Sequence, residues 1–384
     1  MQFKRYDLAI INRSFWPKSE VIGESLLRLA ERSADAGLAP VVITQSNLNL
    51  SLEYNKSNRK HDIRFKVCRS GSDSSSSIII RSLDAFFFMF WVACSLVLTR
   101  PKRIYVATNP PILVPFIVFV YAKIFRARYI YHLQDIHPEI ATAAFNVNPL
   151  VFSLARWIDI RTIKGADVLV TLTKQMRTSI VQRASPQAPI TLLDNPSIML
   201  ESYPEKRTDG FVFAGNLGRL QRIPLIIESI KKYREMGGKL PFVFAGGGVY
   251  SSVLRELASS IDGVEYNGKL SVIDANELVN HYKWALLPIE NEVTWSAFPS
   301  KTSTYAVSGV SVLSICGGNT SVAKWVVDNG IGFNVEPELK LIVGAYLKIE
   351  QGEVVAVMNN CMNVDKLSID YHVDRLFQFL IDIN

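Results

Sequence analysis

Three strand-to-helix junctions in the second half of the chain carry glycines, a cation or both, residue types that suit phosphate. The first, "FVFAGNLGRLQRIPLIIESI", runs an apolar strand into Gly215, Asn216, Leu217 and Gly218, then Arg219 and Arg222, then an apolar helix. Glycine lets a backbone come close to a ligand, and an arginine fork matches phosphate oxygens. The same residues also suit a tight turn with two solvated arginines. The second, "FVFAGGGVYSSVLRELA", repeats the design at Gly246, Gly247 and Gly248. The third is "FPSKTSTYAVSGVSV", Phe298–Val312. Ser300 is placed there to cap a helix whose free amides, with Lys301 beside them, attract an anion. A surface lysine on an ordinary helix fits that stretch equally well.

Other chemistries lack their residues. No first-half strand runs into GxGxxG, which sets aside a dinucleotide fingerprint, and there is no GxxxxGK[ST] for a P-loop. There is no DxD to chelate a metal to a diphosphate and no GxSxG nucleophile elbow. Cys68, Cys94, Cys316 and Cys361 form no CxxC, so a reduced cytoplasmic protein without a metal site is expected.

Positioning these junctions takes an alternation of short β-branched runs with longer amphipathic stretches, the pattern of an α/β protein with parallel sheets. In the first half "DLAIIN", "APVVIT", "RIYVAT", "RYIYHL" and "DVLVTLT" read as strands; in the second "GFVFAGN", "PFVFAGGG", "WALLPI" and "SVLSIC" do. Two Rossmann-like domains facing across a cleft are expected, with ligands at the carboxyl ends of the strands. At 384 residues two domains are the natural expectation. The boundary falls in the proline-rich, polar stretch Leu192–Gly210, giving domains 1–195 and 196–364. Residues 365–384 are expected to form a tail helix, with apolar spacing at Val373, Leu376, Phe377 and Leu380. "RSGSDSSSS", Arg69–Ser77, reads as a flexible loop. The start, "MQFKRYDLAIIN", reads as a polar lead into a first strand rather than a cleavable signal.

Charge is unevenly shared. Residues 1–195 hold 25 Lys and Arg against 14 Asp and Glu, whereas residues 196–384 hold 17 against 21. The basic half suits an anionic partner, whether nucleic acid, lipid or phosphorylated substrate. Two apolar segments of 14 residues, Ala85–Leu98 and Ile112–Phe125, sit in that half. Roughly 18–20 apolar residues are needed to span a bilayer, so both are expected to be buried helices beside the sheet. Arg81, Arg100, Lys102, Arg103, Lys123, Arg126 and Arg128 lie at their edges, where a helix dipping into a membrane interface would meet lipid head groups.

In order and spacing the chain resembles the GT-B glycosyltransferases of family 4, particularly the bacterial branch that builds surface polysaccharides. The likeness begins at "FWPKSEVIGESLLRLAERSADAGLAPVVIT" and continues through "TNPP", "HLQDIHPEIA", "DNPSI", "AGNLGRLQ", "FAGGG", "VEYNGKL" and "LLPI". It ends on "PSKTSTYAVSGVSVL" and "GGNTSVAKWVVDNGIGFNV" and so covers nearly the whole chain. The tail helix resembles the one that crosses back to the first domain in this fold.

The resemblance implies a nucleotide-sugar donor on the second domain, its diphosphate at the Gly215 junction and the Ser300 helix start, and transfer that retains the anomeric configuration. It places a lipid-linked glycan acceptor on the basic first domain, at the inner face of the plasma membrane. No metal and no nucleic acid are expected. The family carries an arginine and a lysine at the positions of Asn216 and Gln221, so Arg219 or Arg222 would supply the missing charge. Its two glutamates, eight residues apart, fall at Ser296 and Thr304; Thr304, with Glu290 or Glu292, would then hold the ribose. On the "YHLQDIHPE" loop Asp135 fits the family's active-site polar group, with His132 or His137 touching sugar hydroxyls. The alternatives there are that Pro138 and Glu139 cap the next helix and that a histidine is packed. Gly23 would admit the donor phosphate or the acceptor, or else merely turn the chain. Two rival readings are a GT-B sugar-nucleotide epimerase and a non-catalytic homologue that binds nucleotide or glycan.

Overall fold

The computed structural model describes residues 5–71, 78–144, 147–199, 201–357 and 363–383. The serine-rich stretch read as a loop falls for the most part at residues 72–77, outside the described residues. The chain divides into two compact units, Met1–Asp194 with Ile369–Asn384, and Asn195–Ser368. Both are α/β with all-parallel sheets, of seven and six strands.

The strands of unit 1 are β1 Leu8–Ile11, β2 Pro40–Gln45, β3 Arg64–Cys68 and β4 Arg103–Ala107. They continue as β5 Arg128–Leu133, β6 Val168–Thr171 and β7 Ile190–Leu192, in the order β3-β2-β1-β4-β5-β6-β7. Helices cover both faces of such a sheet, so its central strands read as unbroken apolar runs. Ile10, Val42, Val106 and Ile130 are fully buried. The helices are α1 Ile22–Asp35, α2 Leu50–Lys56, α3 Ile78–Thr99, α4 Leu113–Phe125, α5 Glu139–Ala144, α6 Pro149–Gly165 and α7 Lys174–Ala184.

Helix α3 corrects one expectation. The apolar run is part of a 22-residue helix, and its stretch Ser82–Thr99 is long and apolar enough to cross a membrane by composition alone. Yet Phe88, Val92 and Leu96, spaced one turn apart, are fully buried. Withdrawing them into a bilayer would empty part of this core, so α3 serves as a core helix whose other face is apolar as well. Its neighbours are α4 and, beyond it, α6.

Unit 2 is built from β8 Thr208–Ala214, β9 Phe242–Ala245, β10 Val264–Tyr266, β11 Tyr282–Pro288, β12 Ser311–Ile315 and β13 Gly332–Val335. Their order is β10-β9-β8-β11-β12-β13. The helices are α8 Ile223–Glu235, α9 Ser251–Ser260, α10 Val272–Asn280, α11 Lys301–Val307, α12 Ser321–Asp328 and α13 Leu339–Glu350. An aromatic cluster anchors α8 and α13 on the sheet, with the Phe211 and Phe242 rings stacked at 4.8 Å and Tyr346 edge-on to Phe242 at 5.1 Å. Such pairs add to the area they bury.

The last helix, α14 Ile369–Asp382, belongs to unit 1 and lies along α1. Arg28 reaches Asp370 at 2.7 Å, while Val373, Leu376, Phe379 and Leu380 are buried.

Candidate functional site

In unit 2 the ends of β8 and β9 and the start of α11 converge. The two glycine junctions bind each other through the backbone. The Gly215 N–H donates to the Ala245 carbonyl at 2.9 Å, Leu217 N–H to Gly247 at 2.9 Å, and Gly246 N–H to Gly268 at 2.7 Å. A Cβ on Gly246 would collide with the Gly215 carbonyl oxygen, and φ there is +135°. The close approach expected at Gly246 is thus taken by the chain itself and not by a ligand. Gly247, by contrast, has nothing within 4 Å of where a Cβ would stand. Gly246→Ala is expected to cost about 2 kcal/mol through left-handed strain and loop separation, read as a lower denaturant midpoint.

Lys301 is the residue that this junction isolates. Its Nζ is buried, has no hydrogen-bond partner among the described residues, and lies 3.7 Å from the centroid of the Phe213 ring. It also stands 3.0 Å from where a Cβ on Gly215 would be. Burial pushes its pKa down to about 7. An ammonium held dry with only an aromatic face for company is costly, and an anion arriving at Gly215 would relieve that cost. Tyr305, one turn further along α11 and fully buried, fixes the arrangement. Its hydroxyl accepts from the Ala214 N–H at 3.2 Å at the end of β8, and donates to backbone carbonyls. Sequence reasoning missed this tyrosine, although its i+4 spacing from Lys301 puts both on one helix face.

Ser300 departs from expectation. Its backbone is itself helical, at φ −60° and ψ −25°, and its side chain makes no capping bond. A capping residue takes extended dihedrals so that its oxygen can reach back to the second or third amide. With α11 only seven residues long, the charge of Lys301 and not the helix start carries the site. Arg222 departs too. Its guanidinium pairs with Glu290 at 2.8 Å and donates from Nε to the Ile289 carbonyl at 2.9 Å, tying the β8 loop to the end of β11. Asn291 joins the same bracket, accepting from Arg222 at 3.3 Å and from the Gly317 N–H at 2.7 Å. Glu290 is therefore occupied, while Glu292 is exposed.

Among the remaining residues, Arg219 begins a short 3-10 turn, Arg219–Gln221, and the Gln221 Oε1 accepts from the Gly218 N–H at 3.1 Å. Asn216 packs against Gly218 and Gly248. Ser296 is buried, and the Thr304 hydroxyl bonds that of Ser197 at 3.3 Å.

In unit 1 the end of β5 and the loop after it hold three of the expected residues. His132 is fully buried, bonded through Nδ1 to the Tyr105 hydroxyl at 2.7 Å and packed against His372 with ring centroids 5.8 Å apart. Burial drives its pKa down to about 3, so it is a packed core histidine and not a sugar contact. Asp135 is half-buried, and its carboxyl is pushed up to about 6 by burial. The Asp135 N–H donates to the Thr108 hydroxyl at 3.3 Å, a contact that sequence alone did not suggest. His137 is also half-buried, with its pKa lowered to about 4 by burial and then by Arg183. Arg183 further binds Glu139 at 2.6 Å and the buried Asp159, which accepts from Tyr131 at 2.8 Å. Gly23 is explained by its own loop, since a Cβ there would lie 2.5 Å from the Trp16 nitrogen and 2.7 Å from the Phe15 carbonyl carbon.

Two parallel-sheet α/β units of seven and six strands define the GT-B fold, and comparison with known proteins agrees. The structure of Anabaena Alr3699/HepE in complex with UDP superposes with a TM-score of 0.66 at 14% identity, covering 98% of this chain and 100% of that one. UDP-GlcNAc 2-epimerase from Methanocaldococcus jannaschii matches with a TM-score of 0.60 at 11% identity, over 98% and 99% of the two chains. In sequence the chain is 23% identical over 291 residues to the probable glycosyltransferase WbjE of Pseudomonas aeruginosa, covering 71% of this chain and 72% of that protein. No family model matches. The chain is glycosyltransferase-like in sequence and fold, with epimerases also among its structural neighbours.

Proposed function

We propose that the chain is a retaining glycosyltransferase of the surface-polysaccharide branch of family 4. It moves a hexosyl or N-acetylhexosaminyl group from a nucleotide-sugar donor to a lipid-linked glycan acceptor. The observation that carries this is Lys301, whose buried Nζ has no hydrogen-bond partner among the described residues, beside the Gly215 junction at the carboxyl edge of the unit 2 sheet. Departure of a nucleoside diphosphate builds negative charge, and a fixed cation in a dry site stabilises it more than water does. Asp135, with its carboxyl pushed up to about 6, is the group of unit 1 suited to accept from or donate to a sugar hydroxyl. The basic balance of the first half and its apolar helices support attachment to the inner face of a bacterial plasma membrane, where such an acceptor resides. The reading calls for no metal.

A thermal-shift panel of UDP, GDP, TDP, CMP and their sugar conjugates tests the donor. UDP is the first probe, because the Anabaena neighbour was solved with it. A ligand selective for the native state at a hundredfold its Kd stabilises by about 2.7 kcal/mol, read as a rise in Tm. No rise with any nucleotide would remove the donor reading and leave the non-catalytic homologue. The fold likeness to UDP-GlcNAc 2-epimerases favours a second reading, epimerisation. Turnover of UDP-GlcNAc without any acceptor would establish it.

A further inference from the structure

At the amino edge of the unit 1 sheet, opposite the strand ends discussed above, lies an open pocket of about 640 Å³. Among the described residues six cations line it, Arg5, Arg100, Lys102, Arg103, Arg126 and Arg128, and no acid does. Lys102 pairs with Asp7 and Arg128 with Asp167, each at 2.7 Å, and Arg103 donates from Nε to the Ile383 carbonyl at 3.3 Å. The cations collect there because α3 and α4 run antiparallel to the strands. Both helices therefore end at this edge, where β4 and β5 begin.

Two of the cations sit at backbone positions that ordinarily select glycine. Arg100 follows the last residue of α3 with φ +46°, and Arg126 follows α4 with φ +55°. The left-handed region costs a non-glycine residue roughly 1–2 kcal/mol, and glycine is the usual residue just past a helix end. Arginine at both positions places a guanidinium at the pocket despite that backbone cost.

The pocket opens beside an apolar face. On α3, Leu83, Phe86, Phe87, Phe90, Val97 and Leu98 are exposed, spaced as one helical stripe that ends at Arg100. Ile124 and Phe125 at the end of α4 are exposed as well, and Phe125 lines the pocket. On α6 the face continues through Leu150, Val151, Leu154 and Trp157, with Arg161 stacked over the indole at 5.1 Å. Apolar exposure on this scale, extending over three adjacent helices and rimmed by cations, marks an interaction surface.

We propose that this face docks on an anionic membrane, the α3 stripe entering the lipid interface while the basic pocket holds a lipid headgroup phosphate. The inference rests on the membrane part of the function proposed above and is independent of the donor. Charge decides the occupant. A second copy of the chain docking through the same face would set one basic pocket against the other, since a two-fold interface pairs a surface with itself. An anionic bilayer offers apolar depth and phosphate together, the combination this face carries.

Vesicle co-sedimentation tests it, with phosphatidylcholine vesicles alone and with phosphatidylglycerol mixed in. The full chain is expected to bind only the mixed vesicles and to be released by high salt. The double variant Arg100→Gly, Arg126→Gly removes two cations while giving each left-handed position the residue it prefers, so its Tm should be unchanged or raised. Binding should fall about thirtyfold, at about fivefold for each cation near the surface. Phe86→Ser with Phe90→Ser should also weaken it, through the exposed stripe. If the full chain ignores mixed vesicles, whether monomeric or dimeric by sedimentation, both the membrane reading and the pocket's role fall. If the arginine variant binds as well as the parent, the headgroup role alone falls. UDP affinity measured in parallel reports separately on the donor reading.

Discussion

Replacing Lys301 with methionine is expected to weaken donor binding about ten- to a hundredfold and, in the same protein, to raise the melting temperature. The two effects have one cause. With its ammonium buried and unpartnered beside Phe213, the folded protein holds the Lys301 pKa near 7 against an ordinary value of 10.5. Between those values the unfolded chain binds the proton that the folded chain resists, so wild-type stability rises with pH from about 7 towards 10. Below about pH 7 the penalty is fully present, at about 4–5 kcal/mol, since each tenfold loss of proton affinity on folding corresponds to about 1.4 kcal/mol. Methionine keeps the length and apolar stem and removes the penalty. Its Tm should exceed the wild type's at pH 7, and the gap should close as pH approaches 10. Function responds the opposite way, because a diphosphate at Gly215 loses its cation. Loss of one such group costs about 10²–10³ in rate, and a hydrogen bond to a charged group about 1.5–3 kcal/mol in affinity. Donor binding should also take up a proton above pH 7, seen as a buffer-dependent heat in calorimetry. A variant that melts higher yet binds UDP unchanged would show that Lys301 is merely a strained core lysine.

The central strands were legible in the sequence and the outer ones were not, for a physical reason. The strands legible from composition correspond to β1, β2, β4, β5 and β6 in unit 1 and to β8, β9, β11 and β12 in unit 2. Those missed, β3, β7, β10 and β13, are the edge strands of the two sheets. An interior strand is covered on both faces and both sides, so "FVFA" or "AII" must be apolar throughout. An edge strand such as Arg64–Cys68 or Gly332–Val335 is half-exposed, and its composition does not separate it from a loop.

The site divides along a similar line. Glycine and lysine in "AGNLG" and "PSK" were visible, because their types are unusual at strand ends. What they touch was hidden, since partners such as Tyr305, Phe213 and Asn291 are distant in sequence or look like core. The roles of Gly23 and Gly246 were misjudged because a missing Cβ makes room equally for a ligand and for the chain's own backbone. Arg222 looked free for phosphate because its acid, Glu290, stands 68 positions away in sequence. His132 was judged by its type, whereas its burial follows from a final helix at the far end of the chain.

That final helix makes unit 1 sensitive to acid, and replacing His372 with glutamine should blunt the sensitivity. His372 on α14 packs on His132 at the end of β5, its Nδ1 bonded to the Asp194 carbonyl at 3.1 Å. Burial lowers the two pKa values to about 4 and about 3, against 6.5 ordinarily. Both rings are thus neutral in the fold. A folded-state pKa depressed below the unfolded one means that the unfolded chain binds more protons, so stability is complete above pH 6.5 and is lost as pH falls towards 4. By about pH 4.5 each histidine has withdrawn about 2.7 kcal/mol, and together they remove a large share of the 5–15 kcal/mol that holds a domain folded. A proton on His132 would also leave its Nε2, already without a partner among the described residues, as a buried unsatisfied donor. Asp135 works against the trend, because its carboxyl, raised to about 6, gains its proton in the same window. Comparing the variant with the wild type cancels that contribution. Glutamine retains a donor for the Asp194 carbonyl and does not titrate, so the variant should be somewhat less stable at pH 7 and lose about 2–3 kcal/mol less between pH 6.5 and 4.5. Denaturant melts at several pH values measure this directly. Parallel stability curves for the two proteins would mean that His372 is solvated in the folded state and that α14 does not seal His132 from water.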